Sequence, residues 1–176
     1  MKINKMRPAL EQLKNKHNLI GAEIGVYHGI YALVYLKELD IKKIFLVDSY
    51  CTYGGYGKRY PSGVFEDAEK EAHEKLEVYK NKITWIKAKS AKAIDMFEDE
   101  SLDFVYIDAN HQYQFVLEDM TLYYPKVKKG GLFSGHDYKP WRRGHGVVAA
   151  VGKFCKNNGF KLTLCTSGAD WWIWKE

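Results

Sequence analysis

Ile20-Gly-Ala-Glu-Ile-Gly-Val-Tyr-His-Gly29 is the stretch whose reading decides the fold. An apolar run carries Glu23, breaks at Gly25 and again at Gly29, and passes directly into the helical spacing of residues 30–39. That order spells strand, tight turn, helix. Gly25 permits a close backbone approach that a side chain would prevent. Gly29 opens the helix, whose first N–H groups lack intrahelical partners and can face a carboxylate or phosphate. A ligand with polar groups is expected on this turn.

The same alternation continues outward. Residues 5–16 suit a short amphipathic helix, with Pro8 tolerated in its first turn. Apolar runs at residues 19–24, 43–47, 83–87, 102–107 and 132–134 read as strands. Helical patterns at 64–80, 91–97, 113–124 and 147–157 separate them, with Ser90 as N-cap of the second. Lys128-Lys-Gly-Gly131 reads as the turn into the fifth strand. Residues 160–165 and 171–174 close the chain as two strands joined too tightly for a crossover helix, so they pair antiparallel. Strands alternating with helices imply a mostly parallel sheet flanked by helices.

At 176 residues one domain is expected, with residues 1–17 as an N-terminal helical extension. Hydrophobic residues at 46% and charged residues at 28% describe a globular chain that builds a core unaided. Three scattered cysteines form no metal-binding pattern and suit a reducing compartment. The N-terminus shows no signal-peptide pattern, and no apolar run approaches the roughly 20 residues of a membrane span. A cytoplasmic location without membrane association is expected. The net charge of +5 comes largely from lysines spread along helices, which reads as a solvated surface rather than a nucleic-acid stripe.

In open α/β sheets, ligands bind at the carboxyl ends of the strands. Those ends carry Glu23 with the two glycines, then Asp48, Ser90, Asp108 with His111, and His136 with Asp137. Asp48 stands where an acid can accept hydrogen bonds from both hydroxyls of a ribose, although a turn Asp would look the same. A dinucleotide fingerprint needs G-x-G-x-x-G, and three residues separate Gly25 from Gly29. The spacing counts against NAD.

Glu23-Ile-Gly25-Val-Tyr-His-Gly29, Asp48 and the terminal hairpin together resemble a class I S-adenosylmethionine-dependent methyltransferase. The likeness runs over residues 18–176. It implies a Rossmann-like, mostly parallel seven-stranded sheet with a C-terminal antiparallel hairpin. It further implies that Glu23, Gly25, Gly29, Asp48, Ser90 and Asp108 bind the cofactor: the glycines its amino-acid part, Asp48 its ribose, Ser90 its adenine. Lys89 departs from the pattern, since many relatives carry an acid there.

The second half resembles a narrower group. Asp108-Ala-Asn-His111, His136-Asp137 and Gly146-Val-Val-Ala-Ala-Val are similar to the metal-dependent O-methyltransferases acting on sugars of macrolide and aminocoumarin natural products. By that resemblance Asp108, His136 and Asp137 bind Mg²⁺ or another divalent metal, and His111 with Asp108 is catalytic, His111 as the base. A dication lowers the pKa of a bound sugar hydroxyl, and a neutral imidazole takes its proton. His136 stands where the group has an acid, and imidazole suits Mn²⁺, Fe²⁺ or Zn²⁺ better than Mg²⁺. So His136 is a nitrogen ligand, or does not touch metal, or there is no metal.

The expected partner is a small-molecule acceptor, glycosylated or nucleotide-linked. Residues 49–63, 110–113 and 138–145, or a second subunit of a homo-oligomer, would wall it in; Arg142 and Arg143 could grip an anionic group. Three other readings stay open. The chain could be a metal-free methyltransferase of another small molecule, an NAD-type oxidoreductase, or a non-catalytic RNA-binding module.

Overall fold

The computed structural model describes residues 5–52, 61–140, 146–166 and 169–176. Seven strands form one sheet: β1 (Leu19–Ile24), β2 (Ile41–Val47), β3 (Ile83–Ile86), β4 (Leu102–Ile107), β5 (Val127–Gly135), β6 (Thr163–Leu164) and β7 (Trp171–Trp174). Their order is β3-β2-β1-β4-β5-β7-β6. The first five run parallel, and β7 lies antiparallel between β5 and β6. The helices are α1 (Pro8–Glu11), α2 (Ile30–Glu38), α3 (Val64–Leu76), α4 (Ser90–Ala93), α5 (Tyr113–Tyr123) and α6 (Gly146–Asn158).

Parallel strands covered on both faces bury both alternating sets of side chains. Ala22, Ile24, Val105, Ile107 and Phe133 point into one core with α5 and α6. Ile44, Leu46, Phe104, Tyr106 and Leu132 point into the other with α1 and α2. Each fully buried Leu, Ile or Phe contributes roughly 1.5–3 kcal/mol. Trp171 and Trp172 are core residues, while Trp174 stays partly exposed.

Several boundaries differ from the sequence reading. The N-terminal helix is only Pro8–Glu11, followed by turns, yet Ala9, Leu10 and Leu13 are buried in the second core. Lys128-Lys-Gly-Gly131 lies inside β5, where Gly130 takes φ +71° and the register with β4 shifts. Ser90 is the first residue of α4 and Lys89 its cap, with no side-chain capping bond. Part of the tyrosine-rich loop, residues 53–60, and Arg142 and Arg143 lie outside the described residues. Among the described residues no helix is long and apolar enough to cross a membrane.

Candidate active site

Strand order reverses at β1, with β2 on one side and β4 on the other. Connections leaving such a switch point diverge and open a crevice. A cavity of about 310 Å³ fills it, and Glu23, Gly25, Asp48, Ser90, Asp108 and His111 stand in its wall. That volume is at the lower end of small-molecule pockets. The remaining expected residues, Gly29, His136 and Asp137, lie beside the wall rather than in it.

The turn after β1 is built by two glycines and one acid. Gly25 takes φ +93°, and a Cβ there would stand 2.3 Å from the Asp108 carbonyl oxygen and 2.7 Å from Ala109 Cα. The first need for a glycine is therefore protein packing: this turn rests on the turn after β4. Gly29 caps α2 at φ +67°, and its missing Cβ makes room for Leu76 and Ala72 of α3. Asp48 Oδ2 accepts the N–H groups of Val26 (2.8 Å) and Tyr27 (2.9 Å), and Oδ1 accepts that of Tyr50 (2.8 Å). Asp48 thus orders the turn. A carboxylate has about four lone-pair positions, so one stays available to a ligand donor.

Glu23 sits behind this turn, 3% exposed, with Oε2 lacking a hydrogen-bond partner. Burial, reinforced by the negative charge of Asp108 and opposed by Arg7, pushes its carboxyl well above the usual range. Glu23 stands in the cavity wall with its ionised form disfavoured by that burial.

The ends of β4 and β5 bring a second group of polar side chains together. His111 Nε2 lies 3.0 Å from Asp137 Oδ2 and 3.6 Å from Asp108 Oδ1. Asp108, His111 and Asp137 offer donor atoms all within 4.8 Å of one another. Asp137 holds φ +60°, uncommon for a residue with a side chain, and this backbone is fixed by Tyr138 N–H bonding to Ala169. His136 faces the same carboxylates at longer range, 3.5 Å from Asp137 and 3.8 Å from Asp108. Burial disfavours the His111 charge, but hydrogen bonds to Asp108 and Asp137 outweigh it and push the imidazole up to about 9. Burial likewise opposes ionisation of Asp137. Hydrogen bonds from His111, His136 and Lys139 still hold it far below the usual carboxylate range.

Among the described residues, two cations flank the cluster. Arg7 Nη2 donates to Asp108 Oδ2 at 2.9 Å, with its guanidinium 3.6 Å from the Tyr31 ring centre. Lys139 donates to Asp137 Oδ1. The N-terminal segment carrying Arg7 is pinned by Asp170, which accepts Ala9 N–H and Tyr106 O–H, both at 3.0 Å.

A family model described as a methyltransferase domain matches residues 22–138 of this chain. The chain belongs to this methyltransferase family. The matched span runs from β1 through the Asp108–His111–Asp137 cluster, and the membership supports methyl transfer from S-adenosylmethionine. An uncharacterized protein of Acanthamoeba polyphaga mimivirus is 31% identical over 151 residues, 82% of this chain and 64% of that protein. The chain thus spans less than two thirds of that relative's length. The O-methyltransferase NovP superposes with a TM-score of 0.70 at 16% identity, covering 96% of this chain and 76% of NovP. Spermidine synthase from Thermotoga maritima reaches 0.61 at 16% identity, covering 92% of this chain and 55% of the synthase. At such identities the likeness is one of fold.

Within this site the sequence reading brought the strand-end acids together but missed their counter-ions and the acid that pins the segment carrying Arg7. Arg7 and Asp170 stand 101 and 161 residues from the groups they bind, Asp108 and Ala9. Lys139, two residues from Asp137, was within reach of a sequence reading. Asn110, 6% exposed, also lines the cavity, and its Oδ1 accepts Gln112 N–H at the entry to α5.

Proposed function

We propose that this methyltransferase moves a methyl group from S-adenosylmethionine to a hydroxyl of a small, sugar-like acceptor. The observation that carries this reading is His111 held between Asp108 and Asp137 at the rim of the β1 cavity. The cavity residues fit the methyl donor. Asp48 keeps an acceptor position for a ribose hydroxyl, and apolar Val47 and Ala88 beside Ser90 form a slot for a flat base. Glu23, the Gly25–Gly29 turn and Asp108 border the end left for the amino-acid part. When bound, the donor supplies an electrophilic methyl group, so the protein positions the acceptor and manages one proton.

His111 takes the acceptor's proton when its ring is neutral, and the two carboxylates stabilise the imidazolium that results. In the ligand-free site the same carboxylates keep the ring protonated below about pH 9. Methyl transfer that uses His111 as base therefore rises with pH toward that value.

A second reading, with a divalent cation, is favoured by the donor set itself: two carboxylates and one imidazole converge on one point. Asp108, Asp137 and His111 would hold the ion, with His136 alongside. It would supply Lewis acidity to a bound hydroxyl, and an oxygen-plus-nitrogen set suits Mn²⁺, Fe²⁺ or Zn²⁺. Arg7 and Lys139 already neutralise the two carboxylates, and they would have to yield. The cytoplasmic location expected from the sequence is part of the same proposal.

Product analysis with a panel of hydroxylated acceptors tests the transfer: methyl on nitrogen overturns the acceptor class. Undiminished turnover in His111→Ala at neutral pH overturns the base. Full activity after chelation, with a neutral Asp137→Ala, removes the cation.

A further inference from the structure

A divalent cation at Asp108 and Asp137 would displace two side chains with different prospects. Lys139, 26% exposed, can leave Asp137 for water. Arg7 is 12% exposed, and its backbone is fixed by the Ala9 N–H on Asp170 and by Ala9, Leu10 and Leu13 in the core. A guanidinium released from Asp108 in that setting is a stranded buried charge unless another acceptor is at hand.

One is at hand. Glu23 and Tyr106 are partners across β1 and β4, so they lie side by side on one face of the sheet. The Arg7 guanidinium stands over the same ring, 5.9 Å from its centre. Glu23 Oε2 and Arg7 Nε are both buried without a hydrogen-bond partner, and so is the Tyr35 hydroxyl, whose ring lies 5.8 Å from that of Tyr106. Buried polar groups are ordinarily paired, so three unpaired ones around one tyrosine mark an arrangement left incomplete. A carboxyl group keeps acceptor capacity whether or not it carries a proton.

We propose that Arg7 is an arm with two seats: its guanidinium holds Asp108 while the cluster lacks a divalent cation and turns to Glu23 when one binds, so the N-terminal segment competes with the cation for the site. This rests on the cation reading of the cluster given above. Only the side chain moves, since the backbone anchors at Ala9 and Asp170 are untouched. Arg7 lies outside residues 22–138, so the competition is set by this chain's own N-terminal segment.

The test is calorimetric titration with Mn²⁺, without methyl donor or acceptor. Arg7→Met removes the competitor and is expected to bind Mn²⁺ about tenfold or more tighter than wild type. Arg7→Gln, which keeps a neutral donor, should also bind tighter and keeps the test open if Arg7→Met fails to fold. Glu23→Gln weakens the second seat and should lower Mn²⁺ affinity about threefold or more in the wild-type background, and have no effect once Arg7 is Met or Gln. Weaker or unchanged binding in the Arg7 variants overturns the proposal, because Arg7 would then be a support of Asp108. A Glu23→Gln effect of equal size with and without Arg7 overturns Glu23 as the second seat. Absence of Mn²⁺ binding in every one of these proteins overturns the cation reading beneath it.

Discussion

Gly25→Ala probes the joint on which the site is built. The new Cβ would stand 2.3 Å from the Asp108 carbonyl oxygen and 2.6 Å from its carbonyl carbon. Carbon and oxygen need roughly 3.3 Å, so one of the two turns must move by about 1 Å. Both atoms are backbone, and no rotamer change relieves the contact. The positive φ adds about 1–2 kcal/mol for any residue with a side chain. Overpacking adds about 1–3 kcal/mol, giving about 2–5 kcal/mol in all. For a chain of this size that lowers the melting temperature by roughly 5–15 °C. The displacement falls on Asp108, so turnover should drop by about 100-fold, the usual consequence of a 1 Å misplacement at a reacting centre. Thermal melts and methyl-transfer rates measured on the same preparation read both effects. A variant melting within about 2 °C of wild type and turning over within about threefold would refute the packing argument.

Three further outcomes follow from the charges of the site. His111→Gln is expected to lose about 10²–10⁴-fold in methyl transfer while binding S-adenosylhomocysteine normally; in the wild type the rate should climb with pH to about 9, and the variant's should be flat. Arg7→Met removes the partner of a half-buried carboxylate and should destabilise the fold by about 3 kcal/mol in urea denaturation, since a stranded charge costs more than the pair contributed. For Asp119, the folded carboxyl lies near 7 against 3.8 ordinarily, so its stabilising proton is fully present below about pH 4 and lost as pH rises to about 7. Asp119→Asn has no such loss, and its stability relative to wild type should rise through that window by up to a few kcal/mol and then level off.

The fold was legible where local and global signals agree. β1, α2, β4 and β7 fall where the apolar runs and the glycine turn put them, because each is a run bounded by a breaker or an acid. The start of β5 was misread since Lys128-Lys-Gly-Gly131 carries turn chemistry, and only pairing of Val127 with Leu102 on β4 draws it into the sheet. α1 is short because its stability comes from burying Ala9 and Leu10 rather than from helical length. Asp108, His111 and Asp137 were visible as a set because parallel strands bring their carboxyl ends to one rim. Arg7 and Asp119 were not: one crosses the chain from an N-terminal turn, the other hides on the inner face of α5, and neither placement is encoded by spacing. The turn at Gly25 was visible, but the packing that demands a glycine there was not, since the nearest atom belongs to a strand end far along the chain.

The most direct test of the central claim is calorimetric titration of the purified protein with S-adenosylhomocysteine, alongside Asp48→Ala. Saturable one-to-one binding in the wild type, weakened at least about tenfold in the variant, is the predicted result, since Asp48 orders the turn and, in the proposed reading, accepts from the ribose. Absence of saturable binding in a folded wild-type protein would contradict it.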